Sequence, residues 1–490
     1  MLFKTPRSGI LVLAVLIFIL VAVTLSWSSD TLQPPVYQWT SDTISSLTGN
    51  AAHKQDEEKH FDDSLAAANP VADMGSLIST PPPKALSSDS DMSSHKSGSS
   101  SATAVKPAAD PDLKDYNVVF SQTTKDHKYF RVKFGDIRDM NPNFIPHPTL
   151  PETWYMVSQR WKGDGDIQTW FTELVCEAVF KDGVLQCRDP PLILPVAATQ
   201  SGSGKCDGDG AMGYFVWIVG PHDARVFQGP DRPFIIYGSN SAHNCFGLWA
   251  QDFRMLVSSN STPAPEDGFR FPVDLQRPPP YGAVEKNWFM FWDRDNQAYL
   301  HHDIMPHRVF AKLNKDGSVG PDLGPTARAS DDACMKAYAP KIAADESIHQ
   351  ATNSLAVTMC NRSDPACKRT QDNTFILHIF QHKIFRLGHG MYEPYVMLYN
   401  EKAPFGLHAI SSKPFWINGR KKIGELEAGP KEHSEMIYVT SVNWKSVGNT
   451  YHGFLDDVVM LGFGIEDSFS GGIDLTAGDL IGELSLCLNV

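Results

Sequence analysis

Three stretches of this chain bring acidic, basic and imidazole side chains together within a few residues. In VGPHDARVFQGPDRPFIIYGSNS, Asp223 and Arg225 fall between two runs of strand character. In VEKNWFMFWDRDNQAYLHHDIMPHRVFAKL, Glu285, Lys286, Asn287 and Trp288 precede an aromatic run, and His301, His302, His307 and Arg308 follow it. In YHGFLDDVVMLGFGIEDSFSGGIDL, the candidates are His452, Glu466 and Asp467. A buried strand requires none of these groups, so their types point to acid–base chemistry and anion binding. A cation beside Asp223 favours its ionised form, which suits a base or an ion-pair partner better than an acid. Lys286, His307 and Arg308 have the charge and the donors to hold a phosphate.

Each group also has a structural reading. Asp223 and Arg225 can close a strand turn as an ion pair, Glu285 and Lys286 can be a solvated strand end, and Glu466 and Asp467 a surface turn. His349 and Asn353, in ESIHQATNSLAVTMC, suit a hydrogen-bonded loop or the same cleft. The spacing of His301, His302, Asp303 and His307 matches no established metal site, so no metal is expected.

The elements that must position these residues read as strands. KYFRVKF, TWYMVSQRW, YFVWIVG, RPFIIYGS, FGLWAQDFRML, NSLAVTMC, TFILHIFQHKIFR, EPYVMLYN, EMIYVTSVNW and DDVVMLGFG have strand length and β-branched or aromatic content. Turn pairs such as Asp182-Gly183, Asp316-Gly317 and Asn418-Gly419 separate them. A helix is expected only around TARASDDACMKAYAPKIAADES, and the alternating βα units of a nucleotide-binding sheet are missing. The fold class is all-β: a sandwich, a barrel or a propeller. Five four-stranded blades of about 75 residues each would fill the roughly 375 residues from Tyr116 onward.

Ahead of these strands lie three segments of different character. Residues 1–9, with Lys4 and Arg7, precede the uncharged run ILVLAVLIFILVAVTLSW at residues 10–27, long enough to span a bilayer. Basic residues before it and Asp30 after it leave the N-terminus cytosolic, as in a single-pass type II protein of the Golgi or another secretory membrane. A cleaved signal peptide is the alternative, although VTLSWSSD lacks a clear small-x-small site. Residues 28–115, rich in Ser, Pro, Ala and Asp, read as a disordered stem, and residues 116–490 as the luminal domain. All eight cysteines fall in that domain, and Cys176 with Cys187 and Cys360 with Cys367 are spaced for local bridges. Asn260 and Asn361 head N-glycosylation sequons. The net charge of −13 argues against a nucleic-acid partner.

Taken in order, the Gly-x-x-Asp-x-Arg of GPHDAR, the Glu-Lys-Asn-Trp with its downstream Pro-His, and the late Gly-x-Gly-x-x-Asp resemble the five-bladed β-propeller glycosidases, mannoside phosphorylases and β-1,2-mannosyltransferases. The likeness runs from Tyr214 to the C-terminus. It implies a five-bladed β-propeller with its site at the axial mouth. Asp223 would then be the general acid or base, with Arg225 orienting it or holding an anion and Glu285 as second carboxylate. Lys286, Asn287, Trp288, His302, His307, Arg308, His452 and Asp467 would bind substrate, with Trp288 and Trp292 offering faces to sugar rings. This chain has His222 and Ala224 where the phosphorylases usually carry an acid and a proline, which leaves the donor open.

The expected function is addition of a sugar, a mannose among the candidates, to a glycan acceptor, with a nucleotide-sugar or phospho-sugar as co-substrate. A glycoside hydrolase or phosphorylase on the same fold is the alternative, and a non-catalytic carbohydrate-binding propeller the third reading. A metal-dependent Asp-x-Asp transferase ranks lower. Asp164-Gly165-Asp166, Asp207-Gly208-Asp209 and Asp293-Arg294-Asp295 fit its pattern, but its βα sheet is missing.

Overall fold

The computed structural model describes residues 110–161, 171–199, 206, 215, 218–257, 268–426 and 431–489. The tail at 1–9, the apolar run at 10–27, most of the 28–115 segment and Asn260 lie outside the described residues. Among the described residues no helix is long and apolar enough to cross a membrane.

The protein is all-β: strands dominate, and the α-helices among the described residues are Arg328–Tyr338 and Ala477–Ile481. Strands follow one another in antiparallel runs. His222–Gln228, Pro233–Asn240, Phe246–Asp252 and Val273–Asp274 form one sheet, and Phe289–Trp292, Ala298–Asp303 and Val309–Lys312 another. Glu346–Thr358, Thr374–Arg386, His389–Asn400 and Leu407–Ser411 make the backbone of a third, flanked by His452–Phe454 and Leu484–Leu486. The largest sheet joins the two ends of the domain. Phe130–Lys133 pairs antiparallel with Phe469–Thr476 and parallel with Val184–Cys187, so an early strand ties the last run to the first.

Local sequence accounts for much of this. In Phe130–Lys133 the apolar residues Phe130 and Val132 point inward while Arg131 and Lys133 point out, the period-2 alternation of a half-buried strand. Asp182 and Gly183 both adopt positive φ, 53° and 78°, as a two-residue type I′ hairpin requires. The expected Cys176–Cys187 and Cys360–Cys367 bridges form, alongside Cys206–Cys245 and Cys334–Cys487. The expected helix spans Arg328–Tyr338 and stops at Ala339, ahead of Pro340. Of YFVWIVG, the described residues 218–220 are not strand. Conversely, Phe469–Thr476 carries weak strand character because of Gly471 and Gly472. Those glycines make room for neighbours: a Cβ on them would come within 2.5 Å of the Phe463 ring and 2.4 Å of the Phe130 ring, respectively.

The first strands of successive runs meet through side-chain amides, each of which imitates a strand neighbour. Asn143 accepts from Val226 N–H at 3.1 Å and donates to Ala224 C=O at 3.0 Å. Asn353 does the same with Val442, and Asn443 with Gln228 N–H and Val226 C=O. Ser354 donates to Met290 C=O at 2.7 Å, and Thr440 to Pro142 C=O at 2.9 Å. No backbone ladder pairs these strands with one another among the described residues, so buried amides and hydroxyls satisfy the free groups, each bond contributing about 1 kcal/mol net. Between the sheets lies the apolar filling, for example Phe227, Phe234, Trp292 and Tyr451 in one layer and Phe289, Phe310, Phe380 and Tyr399 in another.

Candidate functional site

The ladders break near the starts of these first strands. Register shifts fall between Met140 and Asn143, between His222 and Arg225, between Gln350 and Ser354, and between Val439 and Ser441. A bulge re-aims the side chain it releases. The residues released at the first two shifts are left-handed, Asn141 at φ 60° and Asp223 at 51°, and so is Asn287, just ahead of Phe289–Trp292, at 63°. Asn and Asp tolerate this region better than other side chains, at a cost of about 1 kcal/mol or more each.

The Asp223 turn is held from every side. Its N–H donates to Gln159 Oε1 at 2.9 Å, and the next amide, Ala224 N–H, to Glu173 Oε1 at 3.4 Å. Arg225 Nη1 donates to the Asp223 carbonyl at 3.0 Å, while its Nε reaches Ala351 C=O at 3.3 Å. The carboxylate itself takes Asn141 Nδ2 at 3.1 Å and lies 3.0 Å from His222 Nδ1. It opens into a cleft bordered by Lys286, Asn287 and Trp288, with the Asp223 side chain about a third exposed.

Burial pushes the Asp223 carboxyl up, but the charge and hydrogen bond of His222, with the charges of Arg225 and Lys286, outweigh it. The group is held well below the usual carboxylate range. Beneath it, Glu173 is 1% exposed. Burial chiefly, and the Asp223 charge to a lesser degree, push its carboxyl up to about 8, against the opposing Ala224 N–H and Arg225. The site thus pairs an ionised carboxylate facing the cleft with a protonated carboxyl behind it.

The structure brings Asp223, Arg225, Lys286, Asn287 and Trp288 together and leaves the other expected site residues elsewhere. Arg225 serves the backbone of the turn, not the carboxylate as an expected orienting partner. Glu285 is 2% exposed and fully engaged by Arg277 Nη1 at 2.9 Å to each oxygen, Gly282 N–H at 2.6 Å and Trp288 Nε1 at 3.3 Å. It therefore does not face the cleft as a second carboxylate. Trp288 and Trp292 are buried, their rings packed within the core, and present no open face for a sugar. His302 is buried and bonds Gln276 C=O at 3.1 Å. Arg308 is buried against Asp331 at 2.7 Å and Phe405 C=O at 2.8 Å, with no reach to an anion. His307 sits at the surface beside Asp332, 2.9 Å away. His452 is bound to Thr358 Oγ1 at 2.8 Å, and burial lowers it to about 4. Asp467 lies in an exposed turn at φ 43°, next to Glu466, which pairs with His389 at 2.9 Å. Asp293 caps its own hairpin by accepting from Asp295 and Gln297 amides, while Asp164–Asp166 and Asp207–Asp209 lie outside the described residues. Asn361 is exposed.

Sequence reasoning missed Asn141, Gln159 and Glu173. A signal existed for two of them: Asn141 opens the polar Asn-Pro-Asn start of an otherwise buried strand, and Glu173 heads the apolar run ELVCEAVF. A second, wider cavity of about 440 Å³, lined by His147, Trp154, Lys445 and Asp456 among others, contains none of the expected site residues.

No protein-family model matches the chain, and no curated protein matches it. Among solved structures it is similar to a glycosyl hydrolase from Bacteroides ovatus, at a TM-score of 0.40 and 13% identity over 74% of this chain and 92% of that one. It is also similar to the β-1,2-mannobiose phosphorylase of Listeria innocua, at 0.39 and 10% over 75% and 97%. A third is a GDP-Man-dependent mannosyltransferase from Leishmania mexicana, at 0.36 and 9% over 71% and 88% of the two chains. Likenesses this distant say nothing of activity.

Proposed function

We propose that the domain is a five-bladed β-propeller enzyme acting on glycans, that Asp223 is its catalytic carboxylate, and that it transfers a sugar to a glycan acceptor. The antiparallel runs beginning at Asp139, His222, Phe289, Glu346 and Ile437 supply the five blades, with Phe130–Lys133 completing the last one. The donor is a nucleotide-sugar or phospho-sugar, with mannose among the candidate sugars. The observation that carries the reading is the Asp223 carboxylate, freed from its ladder by a bulge and held ionised in a cleft that also presents Lys286 and Asn287.

Asp223 is ionised and so free to take the proton of an acceptor hydroxyl as it attacks the anomeric carbon, acting as a weak base. His222 and Asn141 fix its two oxygens, and Lys286, which borders the same cleft, offers positive charge to a leaving phosphate. Hydrolysis on this fold calls for a pair of carboxyl groups flanking the bond. Glu285, spent on Arg277, does not provide the second one. Phosphorolysis remains the second reading, because Lys286 suits inorganic phosphate as well. The apolar run at 10–27, the four disulfides and the exposed Asn361 sequon support a type II anchor and a luminal domain, in the Golgi or another secretory membrane.

The test is incubation of the purified chain with a panel of nucleotide-sugars and sugar phosphates and with manno-oligosaccharide acceptors, following product masses. A gain of one sugar that is lost in Asp223→Asn supports transfer. Shortening that depends on inorganic phosphate supports phosphorolysis, and an Asp223→Asn variant as active as the parent overturns the site.

A further inference from the structure

We propose that Glu173 is a positioning residue for Asp223: together with Gln159 it fixes the left-handed turn that presents the catalytic carboxylate. The inference rests on the reading of Asp223 as the reacting carboxylate. Gln159 and Glu173 are direct cross-strand partners on Trp154–Arg160 and Glu173–Lys181. Their side chains take the two consecutive amides of the Asp223 turn, Gln159 that of Asp223 and Glu173 that of Ala224. Both are 1% exposed, so water does not replace either contact.

The pair divides its work by charge. A neutral Gln159 binds one amide at no electrostatic cost. Glu173 binds the other through Oε1, while its Oε2 is fully buried with no hydrogen-bond partner among the described residues. An unpartnered buried carboxylate oxygen is tolerated when the group is protonated and far less so when it is charged. Among the described residues the charged groups bearing on Glu173 are Asp223, which opposes ionisation, and Arg225, which favours it; His222 and Lys286 bear on Asp223. With its carboxyl raised to about 8, Glu173 is neutral while Asp223 is ionised across the neutral range. Above that range a second negative charge appears beneath the turn. It repels the Asp223 carboxylate even as the Ala224 N–H holds the charged Glu173 more tightly, so the carboxylate is pushed from its working position.

The test uses the full chain and compares wild type, Glu173→Gln, Glu173→Ala and Asp223→Asn. Gln keeps the shape and the acceptor oxygen but cannot ionise. In wild type, kcat should fall about tenfold by pH 9 from its plateau, as for a single ionisation near 8. Glu173→Gln should keep the plateau and lose that alkaline limb. Glu173→Ala should lower kcat by about 100-fold with little change in KM, as for a misplaced catalytic group, and should speed hydrogen exchange at the Ala224 amide. An alkaline limb unchanged in Glu173→Gln, or Glu173→Ala with wild-type kcat, overturns the proposal. An active Asp223→Asn instead overturns the assignment of Asp223 itself. A readout without substrate separates the two further. The folded state keeps a Glu173 proton that the unfolded chain releases, so wild-type stability falls as pH rises from about 4.5 towards 8. The melting temperature of Glu173→Gln should therefore gain on wild type across that window. A constant difference would show that Glu173 ionises normally and sink the proposal.

Discussion

Replacing Glu285 by Ala separates a structural carboxylate from a catalytic one. In the structure Glu285 and Arg277 are 2% and 6% exposed, and the guanidinium spans both carboxylate oxygens at 2.9 Å while also reaching Asp303. Removing one partner of such a pair costs about 3–5 kcal/mol, because the other charge stays buried with less compensation. The loss of an acceptor for Gly282 N–H and Trp288 Nε1 lies in the same direction. An unfolding entropy of about 2.1 cal/mol/K per residue, over roughly 380 residues, is about 0.8 kcal/mol/K, so 4 kcal/mol lowers the melting temperature by about 5 °C. Thermal unfolding of Glu285→Ala beside Asp223→Ala, at equal pH and with disulfides intact, measures this. The Asp223 variant should lose less, a few degrees at most, since its side chain is a third exposed and its removal costs only the left-handed strain of Ala and the Asn141 and His222 contacts. A Glu285 variant that melts like wild type yet has lost all activity would refute the buried-pair account and restore Glu285 as a reacting carboxylate.

Other expectations follow from the same geometry. Asp223→Asn keeps the left-handed turn and the contact with His222 but cannot accept a proton, so turnover should drop about 10²- to 10⁴-fold with a modest fall in melting temperature from the lost charge; product formation by mass spectrometry checks it. Because His222, Arg225 and Lys286 hold Asp223 well below the usual carboxylate range, the base stays ionised in mild acid, and the acid limb of kcat/KM should lie below about pH 4. A limb near pH 6 would contradict that electrostatic picture. The Cys334–Cys487 bridge, with a sequence separation of 153, ties the helix Arg328–Tyr338 to the C-terminus. Replacing both cysteines by Ala should cost about 4–5 kcal/mol in the chain-entropy account, seen as a lower denaturant midpoint. If the domain is luminal, Asn361→Gln should remove one glycan mass from protein made in a secretory host, and an unchanged mass would count against that placement.

The strands were legible because their pattern is local. Alternation in KYFRVKF and the Asp182-Gly183 turn are decided by residues a few positions apart, as are the short-range disulfides. The Asp223 motif was legible too, as a carboxylate at a strand start beside Arg225. The fate of the other polar residues was not. Glu285, Arg308 and His302 carry the same side chains as a binding site, and the sequence does not reveal that Arg277, Asp331 and the Gln276 carbonyl are waiting for them. Burial and pairing depend on which strands become neighbours, and those partners can be hundreds of residues away. Phe130–Lys133 finds Gly471 and Gly472 across the whole domain. Asn141 and Lys286, distant from Asp223 in the chain, come to bear on its carboxylate only once separate strands converge. Sequence by itself determined the residue types, the strand period and the turns, because these are short-range. Tertiary structure alone decided which charges meet water and which meet each other, because desolvation and Coulomb energies depend on distance in space and not along the chain.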